Sequence, residues 1–186
     1  MKFLHFGIEN ALHCFEKRFK KIEETGIYLF GPQLEELEQK FPESVGFKYG
    51  IAVKTATDAL TMLLRELLRD EPDKIIICPN FTAYPTAVAA KTCTDKIYYI
   101  DVDDSFTIDT NKLPDIDDAI VIAVNLFGNN ANLPELRRYC NIHNSLLIED
   151  CAQSTGSETL PRVSDFAVYS FYPTKPLGSM GDGGML

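Results

Sequence analysis

The chain has 186 residues, 45% hydrophobic and 24% charged, an ordinary globular composition with enough length for one sizeable core. A formal net charge of -9 and a pI near 4.8 exclude a surface built to neutralise nucleic-acid phosphates, though a few backbone amides still suffice to hold one small anion. Cys14, Cys78, Cys93, Cys140 and Cys151 are odd in number and show no CxxC spacing, so reduced thiols in a cytoplasmic protein are expected, not a disulfide framework or a zinc site. Residues 1–7 lack the apolar run of a signal peptide, and no later stretch has the length of a membrane span, so no membrane partner is expected.

In chain order, Glu9 to Thr25 carries Leu12, Phe15, Phe19 and Ile22 at helical spacing, with Gly26 as its stop. A second helix is predicted after Gly31-Pro32, through Leu34, Leu37 and Phe41, and should fail near Pro42. Tyr49 to Val53 is a short apolar run. Thr57 to Leu68 is predicted as a helix with Ala59, Leu60, Leu63, Leu64 and Leu67 facing inward. Lys74 to Cys78 is an apolar run stopped by Pro79, and Tyr84 to Ala90 reads as a short helix. Ile97 to Ile100, Ile120 to Val124, Leu146 to Ile148 and Phe166 to Tyr169 read as strands, with Leu133 to His143 as a helix among them. Apolar runs without alternation are strands buried on both faces, and helices between them imply an α/β fold with a mostly parallel sheet. The acidic stretch from Asp101 to Asp118 is expected to be a solvated connection. Gly183 to Leu186 looks like the start of a further strand.

In open parallel sheets, ligands bind beyond the carboxyl ends of the strands. Four clusters fall at such ends. Lys54 to Leu60 is a run of small and hydroxyl residues opening a helix; its amides suit a phosphate, or Thr55 or Thr57 is merely a helix N-cap. Pro79-Asn80-Phe81-Thr82 follows a second strand. Glu149-Asp150-Cys151-Ala152-Gln153 places an acid at the end of a buried strand, where it is either a surface acid or the partner of a cation. Ser170 to Lys175 puts a lysine just past another strand, and an isolated lysine is usually a solvated surface residue. Gly178 to Gly184 is glycine-rich but lacks the GxGxxG pattern and reads as a turn.

Taken together, the clusters resemble the DegT/StrS family of pyridoxal-phosphate (PLP)-dependent sugar aminotransferases, from about Gly26 to Leu186. Gly31-Pro32 with Leu34, Leu37 and Phe41 is similar to the family's entry helix. Thr55-Ala56-Thr57-Asp58-Ala59-Leu60 resembles its phosphate loop, Ile148 to Gln153 its Glu-Asp-x-Ala-Gln signature, and Ser170 to Lys175 with Gly181 to Gly184 its lysine motif. Each motif is weak alone; their order and spacing are specific in combination.

The resemblance implies a type I PLP-transferase large domain over residues 26–186, preceded by a helical segment over 1–25. It implies PLP as cofactor, with Lys175 as the Schiff-base lysine and proton shuttle. Asp150 would pair with the ring nitrogen. Ala56, Thr57 and Ser170 would hold the phosphate, and Gln153 would sit near the ring's 3-oxygen or face. The implied reaction moves an amino group, from glutamate, to a nucleotide-linked keto sugar, in a homodimer with no nucleic-acid partner. Family dehydratases carry histidine at the lysine position, and Lys175 argues against that chemistry here.

Two departures stand out. Ala56 replaces the usual glycine of the phosphate loop. Ala83 falls where the family has an aromatic residue on the ring face, a role that Phe81 or Tyr84 would have to take over. The family also has a further strand, a helix and a C-terminal small domain beyond the motif at Gly181 to Gly184. The expectation is therefore a partial large domain, with Lys175 near a frayed end and no aminotransferase activity in the isolated chain. The alternatives are a non-catalytic PLP-fold domain or a related PLP-dependent sugar-modifying enzyme.

Overall fold

A computed structural model describes residues 8–157 and 162–186, with side chains from residue 13 onward in the first segment. Five α-helices and seven strands, with two short 3-10 turns, make up the regular structure of the described chain. The helices and strands are α1 (Ile8–Thr25), α2 (Pro32–Ser44), β1 (Ala52–Val53), α3 (Ala56–Leu67), β2 (Ile76–Pro79), α4 (Tyr84–Cys93), β3 (Ile97–Ile100), β4 (Ile120–Val124), α5 (Leu133–Ile142), β5 (Leu146–Asp150), β6 (Phe166–Ser170) and β7 (Gly184–Met185). One sheet runs in the order β1-β7-β6-β5-β4-β2-β3. Its strands β3, β2, β4, β5 and β6 are parallel, whereas β7 is antiparallel to both β6 and β1. This is the mostly parallel α/β sheet with flanking helices that the apolar runs predict.

The apolar runs are continuous because both faces of the central strands are covered. Along β4, Ile120, Ile122 and Val124 pack under α3 and α4, while Val121 and Ala123 join Leu133, Leu136 and Tyr139 on the α5 side. Ala59, Leu60, Leu63 and Leu64 of α3 are buried as the helical period requires, and Leu67 is half-buried against the same core. A third apolar group, with Phe41, Tyr169, Phe171 and Met185, lies where α2 meets β6 and β7.

Some expectations need correction. Helix α2 runs on to Ser44 with Pro42 inside it, because the proline lies in the last turn and its buried ring packs there. The lost bond does not end the helix, since the Phe41 and Pro42 carbonyls still accept from Val45 N–H, each at 3.2 Å. The run Tyr49 to Val53 yields only a two-residue strand, and Tyr49 itself is exposed. The acidic connection after β3 is not wholly solvated, because Thr107 and Ile108 are buried and Ile108 belongs to the α5-side core. On α1, Phe15 and Phe19 stack on each other at 5.8 Å yet stay exposed; the side chain of Leu12 lies outside the described residues. Nor is the lysine segment a frayed end. Leu186 exchanges backbone hydrogen bonds with Ile51 at 2.8 and 2.9 Å, which pins the segment after β6 to the sheet.

Candidate active site

A cavity of about 290 Å³ opens at the carboxyl edge of the sheet, near the lower end of small-molecule pockets at roughly 300–1,000 Å³. All six expected site residues (Ala56, Thr57, Asp150, Gln153, Ser170 and Lys175) line it. They come from α3, the end of β5 and the turn after it, and the end of β6 and the segment after it, so the sheet gathers residues up to 119 positions apart, from 56 to 175.

The first wall is the start of α3. Thr55 is the N-cap: its Oγ1 accepts from Asp58 N–H at 3.0 Å and its hydroxyl donates to the Asp58 carboxylate at 2.8 Å. The Thr55 carbonyl accepts from Ala59 N–H at 3.0 Å. The amides of Ala56 and Thr57 precede that first intrahelical bond, at the positive end of the helix dipole. Thr57 is therefore not the cap, and it joins Ala56 on the cavity wall. Strand β7 passes directly behind this turn. A Cβ on Gly184 would stand 2.5 Å from the Thr55 carbonyl carbon and 2.6 Å from Ala56 N, so only glycine permits the approach.

At the base of the cavity, Asp150 is buried at the end of β5. Its Oδ2 accepts the Thr86 hydroxyl at 2.7 Å, and its Oδ1 accepts the Ala152 N–H at 3.1 Å. Burial pushes the Asp150 carboxyl above its ordinary range, against the pull of those two hydrogen bonds and of the Lys175 charge.

The opposite wall is the loop between β6 and β7. Phe171 N–H bonds the Gly183 carbonyl at 2.8 Å, closing the loop at its neck. The Ser179 hydroxyl donates to the Phe171 carbonyl at 2.7 Å, and Lys175 N–H donates to the Tyr172 carbonyl at 2.9 Å. Lys175 is half-buried as a result, with Ser170 and Tyr172 beside it on the cavity wall. Gln153 is fixed from outside: its Oε1 accepts the Phe127 N–H at 2.9 Å, and its amide NH2 is left as a donor. Phe127 holds that N–H in place with a left-handed backbone, φ 58°.

Neither proposed substitute for the ring-face aromatic reaches the cavity. Ala83 lies on its wall, but Phe81 packs against Phe106 at 5.7 Å and Tyr84 is largely exposed. Tyr172 is the one aromatic residue among the described residues that line it. Thr86 belongs to none of the sequence motifs, and its only sequence signal is a threonine in the first turn of a helix after a strand-end loop. The arrangement as a whole provides amides and hydroxyls for an anion, a buried carboxylate for a cation, and a primary amine on the same cavity.

Comparison with known proteins agrees with this architecture. Residues 13–186 match the DegT/DnrJ/EryC1/StrS aminotransferase family. A similar protein is the UDP-N-acetyl-3-dehydro-alpha-D-glucosamine 3-aminotransferase of Acidithiobacillus ferrooxidans, 33% identical over 176 residues, covering 89% of this chain and 47% of that protein. A DegT/DnrJ/EryC1/StrS aminotransferase from Brucella abortus superposes with a TM-score of 0.82 at 29% identity, covering 100% of this chain and 54% of that one. A Bacillus subtilis protein solved with bound cofactor PMP shares the fold, with a TM-score of 0.85 at 24% identity, covering 95% of this chain and 41% of that one. The chain thus spans about half the length of the relatives it matches. On the match over residues 13–186, the chain belongs to the DegT/DnrJ/EryC1/StrS aminotransferase family.

Proposed function

We propose that this chain is the cofactor-binding part of a PLP-dependent aminotransferase that moves an amino group from glutamate to a nucleotide-linked keto sugar. The observation that carries the reading is the convergence of Lys175, Asp150 and the start of α3 on one cavity. The residues fit the cofactor's functional groups. The amides of Ala56 and Thr57, with the hydroxyls of Thr57 and Ser170, suit a phosphate at a helix N-terminus. Asp150, buried and twice hydrogen-bonded, suits a protonated ring nitrogen. Gln153 offers its NH2 toward the ring's 3-oxygen or face.

Bound PLP would supply the electron sink that makes carbon–hydrogen bond cleavage possible. The protein's own part is then positional and acid–base. Asp150 keeps the ring nitrogen protonated. Lys175 first carries the cofactor through its Nζ and, once released, moves a proton at that atom. The helix start would hold the phosphate, on the same cavity as Asp150 and Lys175.

The substrate class rests on the Acidithiobacillus relative, whose name specifies a UDP-linked 3-dehydro sugar. We infer a homodimer from the exposed run Tyr28, Leu29 and Phe30, an apolar surface of the kind that protein partners cover. A cytoplasmic location is supported by five unpaired cysteines, three of them buried. Borohydride reduction of the PLP-loaded protein, followed by peptide mass mapping, tests the central assignment. The pyridoxyl group is expected on Lys175; a label on another lysine refutes it.

A further inference from the structure

Asp150 sits in an unusual balance. It is buried, and the partners of its carboxylate are the Thr86 hydroxyl at 2.7 Å and the Ala152 N–H at 3.1 Å. The Ala152 amide belongs to Asp150's own turn. Thr86 comes from 64 residues away, in the first turn of α4, and is itself 2% exposed. A threonine inside a helix ordinarily spends its hydroxyl on the carbonyl three or four residues back. Thr86 instead donates to Asp150, while its oxygen stands 3.3 Å from the Thr82 hydroxyl, which donates to it. Having a single proton, the Thr86 hydroxyl is thereby oriented, in a chain from Thr82 through Thr86 to Asp150. Thr86 also lines the cavity.

We propose that Thr86 is a positioning residue of the cofactor site, whose oriented hydroxyl keeps the Asp150 carboxylate ionised and aimed into the cavity to meet a protonated ring nitrogen. This rests on the reading of Asp150 given above. Burial alone drives Asp150 toward its neutral form, and a neutral carboxyl is a poor partner for a pyridinium. Thr86 is the hydrogen-bond donor that opposes this from outside the Asp150 turn, beside the charge of Lys175. Valine has nearly the same shape as threonine and lacks the donor, and serine keeps the donor.

The test uses Thr86→Val, Thr86→Ser and Asp150→Asn in two measurements. The first is a carbon-13 titration of the Asp150 carboxyl in the cofactor-free chain, assigned by its loss in Asp150→Asn. Its midpoint should rise in Thr86→Val and return in Thr86→Ser; an unmoved midpoint in Thr86→Val overturns the proposal. The second is PLP affinity by equilibrium dialysis. Thr86→Val should bind roughly tenfold more weakly, the scale of a lost hydrogen bond to a charged group, with recovery in Thr86→Ser. The loss should largely vanish when Thr86→Val is made on the Asp150→Asn background, whereas a merely structural role for Thr86 would persist there. If Thr86→Val moves the midpoint while Asp150→Asn binds PLP with unchanged affinity and spectrum, the reading of Asp150 fails, and the proposal falls with it. If Asp150→Asn is impaired and Thr86→Val is not, the proposal alone falls.

Discussion

Arg162 and Glu149 pair at 3.0 Å with both side chains sealed from water, 3% and 0% exposed, one residue before Asp150 on β5. Because side chains alternate along a strand, the pair lies on the opposite face of the sheet from Asp150. Arg162 also donates Nε to the Val45 carbonyl at 2.8 Å, and Asn125 donates to the same Glu149 oxygen at 3.1 Å. The network ties β5 to the segment after α2. Removing one partner of a buried pair strands the other charge. Arg162→Met should therefore cost about 3–5 kcal/mol in urea denaturation. The double variant Arg162→Met with Glu149→Gln should recover much of that loss, since no naked carboxylate remains.

Asp150→Asn separates stability from activity. The carboxyl of Asp150 is raised by burial, so the folded state holds its proton more tightly than the unfolded chain does. Its contribution to stability is full in acid and lost as pH rises through the folded-state value. The asparagine variant carries no such loss. Its Tm at pH 7–8 should exceed that of the wild type, by roughly 2–4 °C per kcal/mol at this chain length, and the gap should close on acidification. The same variant in the full enzyme should retain some PLP binding yet lose most transamination. Near wild-type turnover would refute the role of Asp150.

Ala83 leaves one wall of the cavity without a ring. Ala83→Phe should place an aromatic face there and tighten PLP binding by roughly 2- to 10-fold, the range of an aromatic pair. Equilibrium dialysis reads this directly. Unchanged or weaker binding would mean that the ring does not lie against residue 83.

Gly184→Ala forces a methyl group to within 2.5 Å of the Thr55 backbone. Backbone cannot yield as a flexible side chain can. Denaturation should show a loss of about 1–3 kcal/mol, and PLP uptake should fall with it because the turn displaced is the one at the helix start. A variant of wild-type stability that takes up PLP normally would contradict the close approach.

Much of the fold was legible, and the reason is physical. Ile97 to Ile100 and Ile120 to Val124 are strands in full because their apolar runs end in polar or acidic residues, Asp101 and Asn125. The site residues were legible for a different reason: a parallel sheet exposes its strand ends on one edge, so short motifs after separate strands meet there. What local pattern could not supply was long-range packing. Ile108 sits in a polar, acid-rich stretch, yet the α5-side core buries it. Thr86 reads as one more helical threonine until the sheet brings Asp150 to it across 64 positions. Pro42 reads as a stop, and only its place in a buried last turn lets α2 continue.

The register of β7 sets an order of events on the ribosome. Ala52 pairs with Met185 and Val53 with Gly184, so the strand leading into the phosphate turn waits for a neighbour made 131 to 133 residues later. Parallel strands β3, β4 and β5 each meet a partner already synthesised, and their layers can settle as the chain emerges. The edge strand β1 has no such partner until β7 arrives between it and β6. The cavity edge of the sheet thus closes after the layers of β2 to β5, and a nascent chain carries the start of α3 long before β7 arrives behind it.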